Sequence, residues 1–151
     1  MAAGQTHVFR ASLTPKVYRE IEMPSTGKLY DLAEAIIRAF DFSFDHAFGF
    51  YSKLTGNMYD SPVKYELFVD MGEADSDAKS VKRTTVAQAF PRVGSKLLFH
   101  FDYGDDWQFR VELMRLGERQ PGVRSARLVK SVGEAPAQYA DPDEEDGPDD
   151  E

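Results

Sequence analysis

The sequence predicts an α+β fold in which a mixed β-sheet carries one long helix and a short second helix. Segments with a period of two residues, typical of half-buried strands, surround a single long segment with helical spacing. The 11 Phe, 7 Tyr and 1 Trp are residues that strands and aromatic cores favour. The predicted order at the start, two strands, a helix and two strands (ββαββ), indicates a β-grasp or ubiquitin-like arrangement.

The first two predicted strands form a β-hairpin. Residues 7–13 and 17–23 each alternate apolar and polar side chains, and a turn at 14–16 separates them. We expect His7, near the start of the first strand, to be exposed to solvent.

The long helix is predicted after Pro24. Apolar side chains recur at helical spacing from Leu29 to Phe40, which places them on one face. Asp31 lies early in this segment and Arg38 late, in the positions that the helix dipole favours.

The remaining elements are shorter. Thr84 or Thr85 is a predicted cap for a short helix around 86–90, which Pro91 ends. Further strands are predicted at 47–52, 65–70, 96–103, 107–114 and 127–132. We expect an aromatic run to lie in the core under the long helix, namely Phe42, Phe44, Phe48, Phe50 and Tyr51.

Composition assigns one domain to residues 6–140 and an acidic, disordered tail to 141–151. The tail holds eight of the 26 acids, so the net charge of −8 belongs to it, and the rest of the chain balances 18 acids against 18 bases. A neutral body gives no general attraction for nucleic acid. Without Cys, a disulfide framework and a Cys nucleophile are excluded. We expect a soluble cytoplasmic protein that does not enter a membrane.

The basic residues become denser late in the chain. They would contact phosphates in a nucleic-acid accessory protein, or would receive the acidic tail, and a solvated face is the interpretation that we favour for most of them. The six residues are Arg110, Arg115, Arg119, Arg124, Arg127 and Lys130.

The segment from Phe101 to Trp107 reads FDYGDDW and resembles the Y-D-F-G-D-D-W core of the plasmid pRiA open-reading-frame-three family. Residues 17–24 are similar to that family's I-W-R-x-I-x-V-P, and residues 133–139 to its G-x-A-P-x-Q-Y, so the resemblance covers roughly residues 6–140. Tyr18 stands where the family usually has Trp, and Phe109 where it often has His. The resemblance implies an association with plasmids and mobile elements, and it carries no activity with it.

The motif core consists of Asp102, Tyr103, Gly104, Asp105, Asp106 and Trp107. We favour a hairpin turn in which Asp side chains accept backbone hydrogen bonds, Gly104 tolerates a positive φ and Trp107 fills the core. The alternative is a divalent metal site for Mg²⁺ or Ca²⁺, formed by Asp102, Asp105 and Asp106 with His46 or His100.

The leading functional hypothesis is a non-enzymatic interaction or accessory module with a protein partner and no cofactor. The sequence has no nucleophile elbow, no Walker loop and no G-x-G-x-x-G motif. One alternative is a metal-dependent phosphoester hydrolase that uses the acidic cluster. The other is a nucleic-acid accessory protein.

Overall fold

The computed structural model describes residues 4–72, 77–121 and 125–138. The predicted acidic tail therefore lies outside the described residues. The strands are β1 (Gln5–Thr14), β2 (Val17–Pro24), β3 (Phe48–Tyr51), β4 (Lys64–Glu66), β5 (Lys79–Ser80), β6 (Lys96–Phe101), β7 (Trp107–Glu118) and β8 (Arg127–Val132). The helices are α1 (Leu29–Ala39), α2 (Leu67–Asp70) and α3 (Val86–Ala89), with a 3₁₀ turn at Met58–Asp60.

Within these ranges, eight strands form one mixed sheet in the order β5-β4-β3-β6-β7-β1-β2-β8. The pairing of β4 with β5 is parallel, and the other neighbours are antiparallel. The predicted hairpin of β1 and β2 is confirmed, with Phe9 opposite Ile21.

The β-grasp prediction is wrong. The domain is mostly this wide sheet, and its helices are short, since α1 has 11 residues and α2 and α3 have four each. A ubiquitin-like sheet would place β1 parallel to the last strand. Here β1 lies between β2 and the 12-residue β7, and it is antiparallel to both. The order of elements along the chain did not contain this information, because strand pairing depends on contacts between distant segments.

Three predicted strands are shorter than expected, and the one at 47–52 loses a residue at each end as β3. The segment at 65–70 divides into β4 and the single turn α2, where Asp70 accepts hydrogen bonds from Ser80 Oγ (2.5 Å) and the Val81 amide (3.1 Å). These long-range bonds fix Asp70 in a turn that local pattern does not reveal. The segment at 96–103 ends at Phe101, because Asp102 has a φ of 66°.

Helix α1 covers one face of the sheet with the residues that the sequence assigned to its apolar side, including Leu29, Leu32 and Ile36. Its first turn is capped because the Asp31 carboxylate accepts a hydrogen bond from the Lys28 amide at 3.0 Å. No helix in the described part of the chain has the length and apolar character that a membrane crossing requires.

The sheet's other side, which we name the open face, is polar. A row of side chains across β6, β7, β1, β2 and β8 alternates in sign, in the order Lys96, Glu112, Arg10, Glu20 and Lys130. Within the row, Arg10 and Glu20 form an ion pair at 2.8 Å. Opposite charges on neighbouring strands stabilise the pairing and leave little net charge on this part of the face.

Candidate functional site

The motif core forms the turn between β6 and β7. Asp102 Oδ1 accepts hydrogen bonds from the amides of Gly104 (3.1 Å) and Asp105 (3.2 Å), and the Asp106 amide donates to the Asp102 carbonyl at 2.6 Å. The positive φ that Gly104 would tolerate is not used there, because Asp102 (66°) and Asp106 (62°) adopt the left-handed conformation instead. Asp tolerates this region better than most residues, since its short side chain bonds locally.

Trp107 lies at the margin of the core. Its half-buried ring packs against Phe42, with ring centroids 4.7 Å apart, and Phe42 in turn contacts Phe109. The indole Nε1 is buried and has no hydrogen-bond partner among the described residues. Phe109 is fully buried and packs against Phe42 and Phe99.

The turn directs the acidic residues apart. Asp102 Oδ2 lies 3.3 Å from His46 Nε2, whereas Asp106 Oδ1 lies 2.5 Å from His100 Nε2, and Asp105 is exposed. His46 is near Phe101 on the α1 side, while His100 faces the open side of β6. Among the described residues, no group of three or more His, Cys, Asp or Glu is placed to hold a metal ion. The residues of the predicted metal site are therefore distributed over two separate His–Asp pairs.

A concavity of about 270 Å³ opens beside Asp106 on the open face, and we name it the tyrosine pocket. The 3₁₀ turn forms one side, and β6, β7 and the motif core form the other. Its lining includes Met58, Tyr59, His100, Tyr103, Asp106 and Gln108.

Two tyrosine hydroxyls beneath the pocket are linked to a buried acid. The Tyr51 hydroxyl donates to Glu66 Oε2 at 2.6 Å, and the Tyr51 and Tyr103 hydroxyl oxygens are 2.7 Å apart. Because Tyr51 has a single hydroxyl hydrogen, the bond between the two tyrosines must be donated by Tyr103. Burial raises the pKa of both hydroxyls, so both stay protonated.

Asp106 is the exposed member of its pair. Its Oδ1 accepts from His100 Nε2 (2.5 Å) and from Gln108 Nε2 (2.9 Å), and these bonds, first that of Gln108, lower the pKa of Asp106. The Asp106 side chain is 59% exposed, but that of His100 only 1%. The His100 Nδ1 is buried without a partner among the described residues.

Gly49 leaves the space that the hydroxyl groups of Tyr51 and Tyr103 occupy. A Cβ on Gly49 would lie 2.8 Å from each of the Tyr51 and Tyr103 hydroxyls and 2.9 Å from the Tyr65 carbonyl. The absence of a side chain on β3 at this point therefore allows the two hydroxyls to meet above the strand.

Sequence reasoning identified His100, Tyr103 and Asp106 as candidates but missed Tyr59, Glu66 and Gln108, and it placed Tyr51 in the core under the helix. Burial of the predicted aromatic run is confirmed for Phe42, Phe48, Phe50 and Tyr51, whereas Phe44 is half-buried. However, Tyr51 packs on the open face with Leu98 and Met58. The alternation along β3 contained the signal, because it places Tyr51 opposite Phe48 and Phe50.

The expectation that His7 is exposed is wrong, since the residue is only 3% exposed. Its Nε2 is 3.1 Å from the Phe90 carbonyl and its Nδ1 2.7 Å from Ser25 Oγ. The carbonyl only accepts, so Nε2 carries the hydrogen and the neutral ring accepts from Ser25. Burial is the main cause that lowers the pKa of His7. Both nitrogens serve to connect segments of the fold.

Two larger hollows offer less convergent chemistry. One of about 490 Å³ lies beside α1, where Asp31 caps the helix and Arg38 pairs with Glu34 at 2.8 Å. The other, of about 410 Å³, lies at the β1–β2 turn and includes Arg10 and Arg110. The tyrosine pocket differs because a hydrogen-bonded network positions its polar groups.

Comparisons with known proteins bear on most of the chain. The family model described as plasmid pRiA4b ORF-3-like protein matches residues 4–141. A crystal structure of a protein of unknown function from Methanosarcina mazei Go1 is similar, with a TM-score of 0.65 and 24% sequence identity over 87% of this chain and 71% of that one. At that identity the likeness shows the fold alone. No curated protein matches the chain significantly.

Proposed function

The chain belongs to the plasmid pRiA4b ORF-3-like family, and from that premise we propose that it is a non-enzymatic interaction module, which binds a protein partner through the tyrosine pocket. The observation that carries the proposal is the contrast within one hydrogen-bonded pair: His100 is closed off from solvent, while Asp106 is presented to it.

The enclosure of His100 supports binding over acid–base catalysis. A general base must reach the proton that it removes. The Nε2 of His100 is engaged by Asp106, and Nδ1 is buried. The ring therefore acts through Asp106, whose carboxylate it holds in place.

The rim of the pocket has the character of an interaction surface. Tyr59 is 51% exposed and stands opposite the exposed carboxylate of Asp106, and Met58 and Leu98 form the apolar floor. Exposed aromatic side chains beside a small pocket are typical of the residues that dominate protein interfaces. A volume of about 270 Å³ suits one inserted side chain.

The alternatives of the sequence analysis receive less support. Metal-assisted hydrolysis requires carboxylates that converge, and the turn separates Asp102 from Asp106. Nucleic-acid binding is favoured by unpaired cations, and two of the late basic residues are already engaged, since Arg127 pairs with Glu22 at 2.8 Å and Arg115 approaches Glu20 at 3.8 Å. Arg124 lies outside the described residues. The cytoplasmic setting and the association with mobile elements stay predictions.

Site-specific photocrosslinking in the protein's own cells tests the proposal. A benzophenone amino acid replaces Tyr59 at the pocket rim or, as the control, Leu116, which is 44% exposed at the distant end of β7. We expect position 59 to yield one crosslinked protein of defined mass that position 116 does not yield.

The contrary result is an equal crosslinking pattern at the two positions, or no crosslink at 59 from a folded variant. Either would show that the pocket is not the surface that meets a partner.

A further inference from the structure

Building on the proposed function, we infer that the tyrosine pocket takes a cationic group on an apolar stem, an alkylammonium or alkylguanidinium of the kind that lysine and arginine side chains carry. This inference rests on the proposed function and adds the chemistry of the ligand.

Three donors around the pocket, on Tyr51, Tyr103 and His100, are used in internal bonds. Tyr103 donates to Tyr51, which donates to Glu66, so the hydroxyl hydrogens point inward. The Nε2 hydrogen of His100 is given to Asp106. Each of these groups has used its donor on an acceptor of the protein itself.

Acceptors remain toward the pocket. Gln108 uses its amide nitrogen on Asp106 Oδ1, and its own Oε1 accepts no hydrogen bond within the described residues. The same holds for Oδ2 of Asp106, whose other oxygen is already bonded twice. No lysine or arginine belongs to the described lining. A ligand that supplies donors and positive charge complements such a site.

The walls suit the stem and the charge of such a ligand. Tyr59 and Tyr103 present aromatic rings, which attract cations through their faces, and Met58 and Leu98 offer apolar contact to methylene groups. The ring centroids of His100 and Tyr103 are 4.5 Å apart, so packing fixes one of these walls.

The local field has the matching sign. After burial, the negative charges of Glu66 and Asp106 raise the pKa of Tyr59. The same charges favour an approaching cation. Two lysines of this part of the chain face acids of their own, since Lys64 pairs with Asp77 at 3.2 Å and Lys53 approaches Asp60 at 3.9 Å.

Chemical-shift titration of the ¹⁵N-labelled full chain tests the inference. The probes are n-butylammonium and n-butylguanidinium, with n-butyrate and n-butanol as controls of equal stem length. We expect saturable shifts at the Gln108 side-chain amide and the Asp106 backbone amide with the cations, and no saturable shifts with the controls.

The substitution Asp106→Asn removes the charge and keeps an acceptor for His100 and Gln108, and Asn tolerates the left-handed backbone of this position. We expect about tenfold weaker binding of the cations, as for loss of a hydrogen bond to a charged group. Asp105→Asn makes the same charge change on the neighbouring exposed residue, and should alter the affinity by less than about twofold.

A further arm separates two sources of the cation. A blocked tripeptide with a central lysine is compared with 1,4-diaminobutane. Tighter binding of the tripeptide assigns the pocket to a protein side chain, and tighter binding of the diamine assigns it to a free amine.

Three results would overturn the inference: equal binding of n-butanol and n-butylammonium, equal weakening by the two Asp→Asn substitutions, or no cation binding. A specific crosslink at position 59 together with any of these would leave the proposed function standing. Cation binding without a crosslink would contradict the proposed protein partner, but it would support the proposed chemistry of the ligand.

Discussion

Asp102 and Asp106 are the two residues that determine the conformation of the motif core. Each adopts a positive φ, and between them they accept four hydrogen bonds with their side chains. Asp102 uses its carboxylate to close the turn, whereas Asp106 points its carboxylate at the tyrosine pocket. Two residues of the same type, four positions apart, therefore have separate roles, one in the backbone and one in the site.

Gly49 is the residue whose substitution tests the geometry under the pocket. We predict that Gly49→Ala lowers the free energy of unfolding by about 1–3 kcal/mol, because the new Cβ meets both tyrosine hydroxyls and a backbone carbonyl. Urea denaturation measures the change.

The matched control for this substitution is Gly104→Ala. A Cβ there meets only Asp102 Oδ1, at an ordinary 3.5 Å, and the backbone is not left-handed. Its effect should stay within about 0.5 kcal/mol. A Gly49→Ala variant as stable as Gly104→Ala would contradict the close approach of the two hydroxyls.

At the level of elements, His7 joins parts of the fold that are distant in sequence. It lies on β1 and bonds to Phe90, directly after α3, and to Ser25, directly after β2. These contacts attach the short helix to β1, an inner strand of the sheet.

Stability should therefore depend on pH through His7. The pKa of the folded-state ring is lowered from 6.5 by burial, so the unfolded chain takes up the proton first as the pH falls. Stability contributed by the neutral ring is complete above pH 6.5 and decreases below it. We predict that His7→Gln is less sensitive to this change than the unsubstituted protein, as urea midpoints at pH 7.5 and 5.5 would show. Equal loss of stability in both proteins would contradict this role.

Periodicity was informative for some elements and misleading for others. The alternation in 7–13 and 17–23 located β1 and β2, and the helical spacing after Leu29 located α1. The same reasoning wrongly predicted one strand at 65–70. Hydrogen bonds from Ser80 and Val81 to Asp70 hold the end of this segment in the helical turn α2. Local pattern thus identifies an element where the core face is periodic, and fails where a distant segment fixes the backbone.

The whole molecule is a wide sheet with two different faces. The α1 face carries the stacked phenylalanines of the core, such as Phe50 and Phe99 with ring centroids 4.8 Å apart. The open face carries the alternating charges at one side and the tyrosine pocket at the other. A helix thus covers the first face, whereas the second keeps its polar groups available for contact.

The sequence indicated part of this site. It predicted that Leu98 and His100 share a face, and it marked the motif core. It did not bring Glu66 or Tyr59 to that place, because strand order and the position of the 3₁₀ turn are set by long-range pairing. The free acceptors of the pocket are recognised only once the donors of Tyr51, Tyr103 and His100 have been matched to their partners on different strands.

The hydrogen on His100 tests the central claim most directly, because His100 holds the Asp106 carboxylate at the pocket only if that hydrogen is on Nε2 and is bonded to Asp106. Long-range ¹H–¹⁵N spectra of the imidazole rings identify the protonated nitrogen. We predict a hydrogen on Nε2, with the Nε2 signal displaced in Asp106→Asn and retained in Asp105→Asn. An Nε2 that carries no hydrogen, or a ring that does not respond to Asp106→Asn, would contradict the bond that holds the Asp106 carboxylate at the pocket.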